Sequence, residues 1–155
     1  MSQALVGIVY GSPSDKDKMG HAAALLERFG VPFEMDSMSA HRSPERVRDY
    51  AIRAESRGVR VIIAGAGRAA HLAGVVAAHT ALPVIGVPLS GGLMDGMDAL
   101  LSTVQMPSGV PVATVGIDAA ANAGVLAVQI LASGDDELRK RLEEFKDQLA
   151  EGLRL

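Results

Sequence analysis

The sequence predicts an α/β fold: a three-layer parallel sheet, flavodoxin-like or Rossmann-like, with helices on both faces. Three observations lead there. Short apolar runs of strand length, ALVGIVY (4–10), VRVIIAG (59–65) and PVIGVP (83–88), read as buried strands. Helical patterns alternate with them, which is the signature of parallel strands joined by crossover helices. Loops rich in Gly, Ser and charge follow the strands: GSPSD, SAHRSP, GAGRAAH and PLSGG. In such sheets ligands bind beyond the carboxyl ends of strands, so four unusual loops crowd one rim. The 155 residues suit one domain, 1–155, with a real core.

The elements follow in order. After ALVGIVY and GSPSD, Met19, Ala22, Ala23, Leu26 and Phe29 fall on one helical face. Ser14 is placed to cap that helix, Asp15 and Asp17 suit its dipole, and Gly30 ends it. PFEMDSM (32–38) reads as the second strand. Ser43 can cap the next helix, whose first residue is Pro44, a position where proline is tolerated. Val47, Tyr50, Ala51 and Ala54 are its apolar face. VRVIIAG is the clearest strand, and an Ala-rich helix runs on to about His79. PVIGVP is the fourth strand, MDALLSTVQ a helix, and PVATVGI (111–117) the fifth strand. AANAGVLAVQILA (120–132) is apolar nearly all round, so it should be buried, partly by other chains. The last helix, 135–155, is highly charged with a narrow seam of Leu138, Leu142, Phe145, Leu149 and Leu153. Its own domain or a neighbouring subunit would suit that seam, and its narrowness points to the neighbour.

Composition excludes several classes. There is no cysteine, hence no disulfide, thiol nucleophile or thiolate metal site. A formal net charge of -3 gives no broad case for nucleic acid or an anionic membrane as partner. No apolar run approaches the ~18 residues of a membrane span. MSQALVGIVYGS lacks the pattern of a signal peptide, so the expected location is cytoplasmic. No HxxxH, HExxH or carboxylate cluster appears, so no metal is expected.

The rim loops carry the chemistry. GSPSD puts Ser12, Ser14 and backbone N–H groups at a helix N-terminus, which suits a phosphate, although neither a Walker A motif nor GxGxxG is present. Asp15 can accept hydrogen bonds from sugar hydroxyls, but the same residues would also serve as a simple capped turn. In SAHRSP, Arg42 stands next to a helix N-terminus, so its charge and the helix dipole can grip one anion. His41 can exchange a proton near neutral pH, and Ser39 adds a hydroxyl. The glycines of GAGRAAHL let backbone N–H groups face a ligand. His71 is a second polar group or a capping histidine. His79 suits a helix C-terminus and His21 the surface. These residues describe a domain that binds a small phosphorylated or carboxylated molecule, with His41 as the acid/base. They do not name a reaction.

Taken together and in order, the loops closely resemble the PurE family, the N5-carboxyaminoimidazole ribonucleotide mutases of purine synthesis. That pattern runs GSxSD, SAHRTP, AGAGGAAHLPG, PVxGVP, SxVQMPxGxPVAT and NAxLLAxQIL. This chain reads GSPSD, SAHRSP, AGAGRAAHLAG, PVIGVP, STVQMPSGVPVAT and NAGVLAVQIL, from about residue 5 to 132. The resemblance implies movement of a carboxyl group from the exocyclic nitrogen to the ring carbon of an aminoimidazole ribonucleotide, through CO2 held in the pocket. No cofactor is implied. It also implies roles: His41 as acid/base; Ser12, Ser14 and Arg42 on the 5′-phosphate; Asp15 on the ribose. Ser39, Ala40 and the backbone of Gly65, Ala66 and Gly67 would surround the carboxylate and CO2, with His71 and Leu72 against the base. A homo-octamer with shared sites is implied as well.

Two positions depart from the pattern. Arg68 stands where the family has a second glycine, and Ala73 where it has proline. A second class, which carboxylates the unmodified aminoimidazole with free CO2, tends toward GSSSD, SAHK and AGRSN. SAHR, AAHL, GVP and VQMPSGVPVAT favour the first class. Arg68 either points away to solvent or a neighbouring subunit, or grips a carboxylate or bicarbonate and favours direct carboxylation. The mutase is the expected activity, and the direct carboxylase is the nearest alternative. A non-catalytic nucleotide- or phosphate-binding module is the alternative of another class, and it would not need His41.

Overall fold

The computed structural model describes residues 3–155. Five parallel strands form one sheet: β1 (Val6–Tyr10), β2 (Phe33–Ser37), β3 (Val61–Gly67), β4 (Val84–Leu89) and β5 (Ala113–Thr114). Their spatial order is β2-β1-β3-β4-β5. The chain steps outward from β1 to β2, then returns past β1 to build the other side. The reversal lies between β1 and β3, the flavodoxin-like switch point at which ligands bind. Register puts Tyr10 beside Gly65 and Ser37, so the loops after β1, β2 and β3 leave the sheet at one level.

Strand alternation divides the core in two. Val6, Ile8, Val61 and Ile63 face one layer, made of α1 (Lys16–Arg28), α5 (Ala120–Ala132) and α6 (Asp136–Ala150). Val9, Ile62 and Ala64 face the other, with α2 (Pro44–Ala54) and α3 (Leu72–Ala78). The helix α4 (Met97–Val104) lies over β4 on that second side, with Thr103 buried. Ile8, Ile62, Ile63 and Ile85 are fully buried, and burying a side chain of that size contributes about 1.5–3 kcal/mol. With few aromatics, glycines let elements approach closely. A Cβ on Gly65 would collide with Met19 of α1, and one on Gly86 with Thr103 of α4.

Several expectations are corrected. Ser14 does not cap α1. Ser12 caps a short 3-10 turn, Pro13–Asp15, by accepting from Ser14 N, and α1 starts after it. Ser43 precedes α2, but its hydroxyl donates to Ser39 O at 3.0 Å and makes no cap bond. The fifth strand is much shorter than 111–117. It lies at the sheet edge, and after Val115 N–H has bonded Gly86 O the chain turns away toward α5. The apolar α5 is flanked by α1 and α6 with β3 and β4 beneath, while its Ala121, Leu126, Ile130 and Leu131 stay only partly buried. The seam of α6 also lies on its own domain. Leu138 and Phe145 are buried, Phe145 meets Phe29 edge-on at 5.2 Å, and Leu142, Leu149 and Leu153 pack on the same core. Leu142, Leu149 and Leu153 stay only partly buried there. No helix of the described residues is long and apolar enough to cross a membrane.

Candidate active site at the carboxyl rim

The rim loops enclose a cleft of about 620 Å³ at the switch point. Its first wall is the segment after β1. Gly11 N–H bonds Gly65 O at 3.0 Å, carrying the ladder one step past the strand. The 3-10 turn then presents Ser12, Ser14 and Asp15 to the cleft, with Ser14 Oγ donating to Ser12 Oγ at 2.9 Å. Burial raises the Asp15 carboxyl above its ordinary value of 3.8, while the Ser12 backbone and Lys18 pull against that rise.

The second wall is SAHRSP. Met38 N–H bonds Tyr10 O, tying the end of β2 to the end of β1. Ser39 Oγ then accepts Arg42 N–H at 3.2 Å, and Ser39 O accepts Ser43 N–H at 2.9 Å. This tight turn throws the Arg42 guanidinium back across the cleft to Gly11 O at 3.3 Å. Arg42 therefore bridges the first two walls beside the start of α2, where an anion would meet both charge and dipole.

The third wall follows β3. Ala66, Gly67, Arg68 and Ala69 line it, and Ser102 Oγ of α4 anchors it by accepting Ala70 N–H at 2.9 Å. His71 starts α3 without making a cap bond, which leaves its ring free. That ring meets His41: His41 Nε2 and His71 Nδ1 are 2.7 Å apart, with the rings nearly perpendicular at 88°. One nitrogen of such a bond must carry the proton and the other must accept it. Which ring donates depends on the tautomer, so the contact couples two imidazoles that line the cleft and can pass a proton between them.

Of the residues expected at the site, Ser12, Ser14, Asp15, Ser39, Ala40, His41, Arg42, Ala66, Gly67, His71 and Leu72 line this one cleft. Gly65 lies a step below, inside β3, with its open side against Met19. His21 is exposed on α1, and His79 ends α3. Arg68 is on the cleft wall at φ 58, a left-handed conformation unusual for a residue with a Cβ. Sequence reading missed Lys18 and Ser90, which line the cleft, and Asp118 behind them. Burial alone would raise the Asp118 carboxyl, but hydrogen bonds from Ser90 and Lys18 outweigh it and hold the group below 3.8. Lys18 sits one helical turn beyond Asp15, a spacing that could have flagged it. Asp118 gave no local signal. Among the lining residues Lys18, Arg42 and Arg68 are cationic and Asp15 alone is anionic, so the cleft favours anions in an acidic protein.

The arrangement defines a class: an α/β domain that binds a small anion at a switch-point cleft, with an imidazole pair able to move a proton. Its match to the AIR carboxylase family model over residues 5–152 is decisive, and the chain belongs to that family. It is 56% identical over 141 residues to the N5-carboxyaminoimidazole ribonucleotide mutase of Pyrococcus horikoshii, covering 91% of this chain and 80% of that one. It is also 56% identical over 147 residues to the phosphoribosylaminoimidazole carboxylase of Schizosaccharomyces pombe, covering 95% of this chain but 27% of that protein. The crystal structure of Treponema denticola PurE superposes with a TM-score of 0.87 at 29% identity, covering 96% of this chain and 92% of that one.

Proposed function

We propose that the chain is an N5-carboxyaminoimidazole ribonucleotide mutase of purine (IMP) biosynthesis. It would convert that carbamate to 4-carboxy-5-aminoimidazole ribonucleotide. The observation that carries the reading is the His41–His71 contact at 2.7 Å in an anion-favouring cleft. The mutase name of a relative 56% identical over nearly the whole chain supports it.

Chemically, the carbamate N–C bond breaks and its electron pair returns to nitrogen, releasing CO2 into the cleft. His41 gives that nitrogen a proton. The electron-rich ring carbon then attacks the retained CO2, and neutral His41 removes the proton from that carbon. Protons balance over the cycle, so one residue serves as acid and then as base. Retention of CO2 beside the ring replaces a bimolecular encounter with an intramolecular one. Arg42, Ser12 and Ser14 would hold the 5′-phosphate, and Asp15 the ribose hydroxyls. Ser39, Ala40 and the Ala66–Gly67 backbone would bound the CO2 space, with His71 and Leu72 against the base. The reaction calls for no cofactor.

The same reading makes the enzyme a cytoplasmic homo-octamer. Leu93 is fully exposed, and Met97, Leu101 and Val104 form an outward stripe on α4, an apolar surface suited to another copy of the chain. His41→Asn tests the assignment. Mutase turnover should fall about 10²–10⁴-fold while ribonucleotide affinity stays within about threefold. Full turnover in that variant would refute His41 as the acid/base.

A further inference from the structure

Ser90, at the end of β4, is held by two charged groups from distant parts of the chain. Its Oγ donates to Asp118 Oδ2 at 2.5 Å and accepts from Lys18 Nζ at 2.6 Å. Its backbone N–H donates to Asp118 Oδ1 at 2.9 Å. Lys18 closes the ring through both oxygens of Asp118, at 3.0 and 3.1 Å. Asp118 itself is held at φ 57, with its N–H on Pro88 O at 2.9 Å. A left-handed aspartate is uncommon, and here the conformation accompanies a carboxylate aimed back at the rim.

A serine hydroxyl has one proton and two lone pairs. In Ser90 the proton is committed to Asp118 and one lone pair to Lys18. One lone pair is left, on a residue that lines the cleft. Ser90 can therefore accept a hydrogen bond from a ligand but cannot donate one. Lys18 contacts Ser90 directly, and its charge also acts on the Asp15 carboxyl of the same cleft. Both acceptors, Ser90 Oγ and Asp15, thus belong to the same part of the cleft.

We propose that Ser90 is a specificity-determining residue that accepts a hydrogen bond from a sugar hydroxyl of the substrate, and that Lys18 and Asp118 are positioning residues that fix it as an acceptor. The proposal rests on the mutase reading. A phosphorylated sugar anchored by its phosphate places hydroxyl donors beside that anchor, whereas the reacting ring lies toward the histidine pair. The three-residue clasp thus sets how tightly the sugar is held and leaves the proton transfer alone.

Steady-state kinetics test this with the carbamate ribonucleotide and with its analogue lacking the sugar hydroxyls. With the ribonucleotide, Ser90→Ala should raise KM about five- to tenfold, the range of one lost hydrogen bond, with kcat within twofold. Asp118→Asn, which frees the hydroxyl to rotate, should do the same. With the deoxy analogue the Ser90→Ala effect should vanish. Ser90→Ala keeps the Lys18–Asp118 bridge, so a purely structural clasp would leave KM unchanged in that variant. An unchanged KM, or an equal effect on both substrates, overturns the proposal. A wild type that turns over no carbamate at all overturns the mutase reading first, and this assignment with it.

Discussion

Two glycines that look alike in sequence should respond oppositely to alanine. Gly20 lies in α1 and Gly124 in α5, the helices packed side by side on one face of the sheet. A Cβ on Gly20 would meet no heavy atom within 4 Å. A Cβ on Gly124 would lie 2.8 Å from Leu25 Cβ and 3.0 Å from Ala22 O. Neither neighbour is the end of a flexible side chain, so relief requires the helices to part by roughly 0.7 Å to reach ordinary contact. Because neither atom can swing away, this overpacking falls in the upper part of the usual range, about 2–3 kcal/mol, against about 1 kcal/mol gained from alanine's helix propensity. Gly124→Ala should therefore lose about 1–2 kcal/mol net, which lowers Tm by roughly 3–6 °C in a domain of this size. Gly20→Ala meets no opposing contact and should raise Tm by about 2–3 °C. Thermal unfolding followed by circular dichroism at one protein concentration reads both. A Gly124→Ala protein as stable as wild type, or a destabilised Gly20→Ala, would refute the packing argument.

Other outcomes follow from the site. Asp15 has its carboxyl raised by burial, so its charge costs stability as pH rises through the folded value. Asp15→Asn should melt higher than wild type at pH 7, with the gain fading as pH falls through the raised value and gone below 3.8, while KM for the ribonucleotide rises. Asp118 is the reverse case. Its stabilisation is present above 3.8 and is lost as pH falls through its lowered folded value, so the stability gap between wild type and Asp118→Asn should close in acid. Arg68→Gly should keep carbamate turnover within about threefold and should not lower Tm, because glycine suits φ 58. A tenfold loss of turnover would instead show that Arg68 grips the substrate carboxylate.

The site was legible in sequence as far as local rules reach. Strand–helix alternation predicts the parallel sheet, and loops after parallel strands share a rim, so His41, Arg42 and Asp15 could be assigned to one cleft before any coordinates. The contact between His41 and His71 was not legible. It depends on β1 separating β2 from β3, and on His71 making no cap bond. Ser12 takes the capping role expected of Ser14 because a proline-led 3-10 turn intervenes before α1. The distant Lys18–Asp118 bridge had no local pattern, since the two residues are 100 positions apart. Gly65 reads as a ligand-facing glycine by composition, yet its open side meets Met19, and only the face it takes in β3 decides that. The narrow seam of α6 was compatible with either partner, and the Phe29–Phe145 contact shows that its buried part packs on the same chain.

The central claim is that the protein moves a carboxyl group within one substrate. The most direct test follows formation of the ring-carboxylated ribonucleotide by ultraviolet absorbance. Fresh carbamate substrate at low bicarbonate is compared with unmodified aminoimidazole ribonucleotide at high bicarbonate. Rapid turnover of the carbamate, with little from the unmodified ribonucleotide, is the predicted result. Efficient turnover only of the unmodified ribonucleotide with bicarbonate would contradict it and make the protein a direct carboxylase.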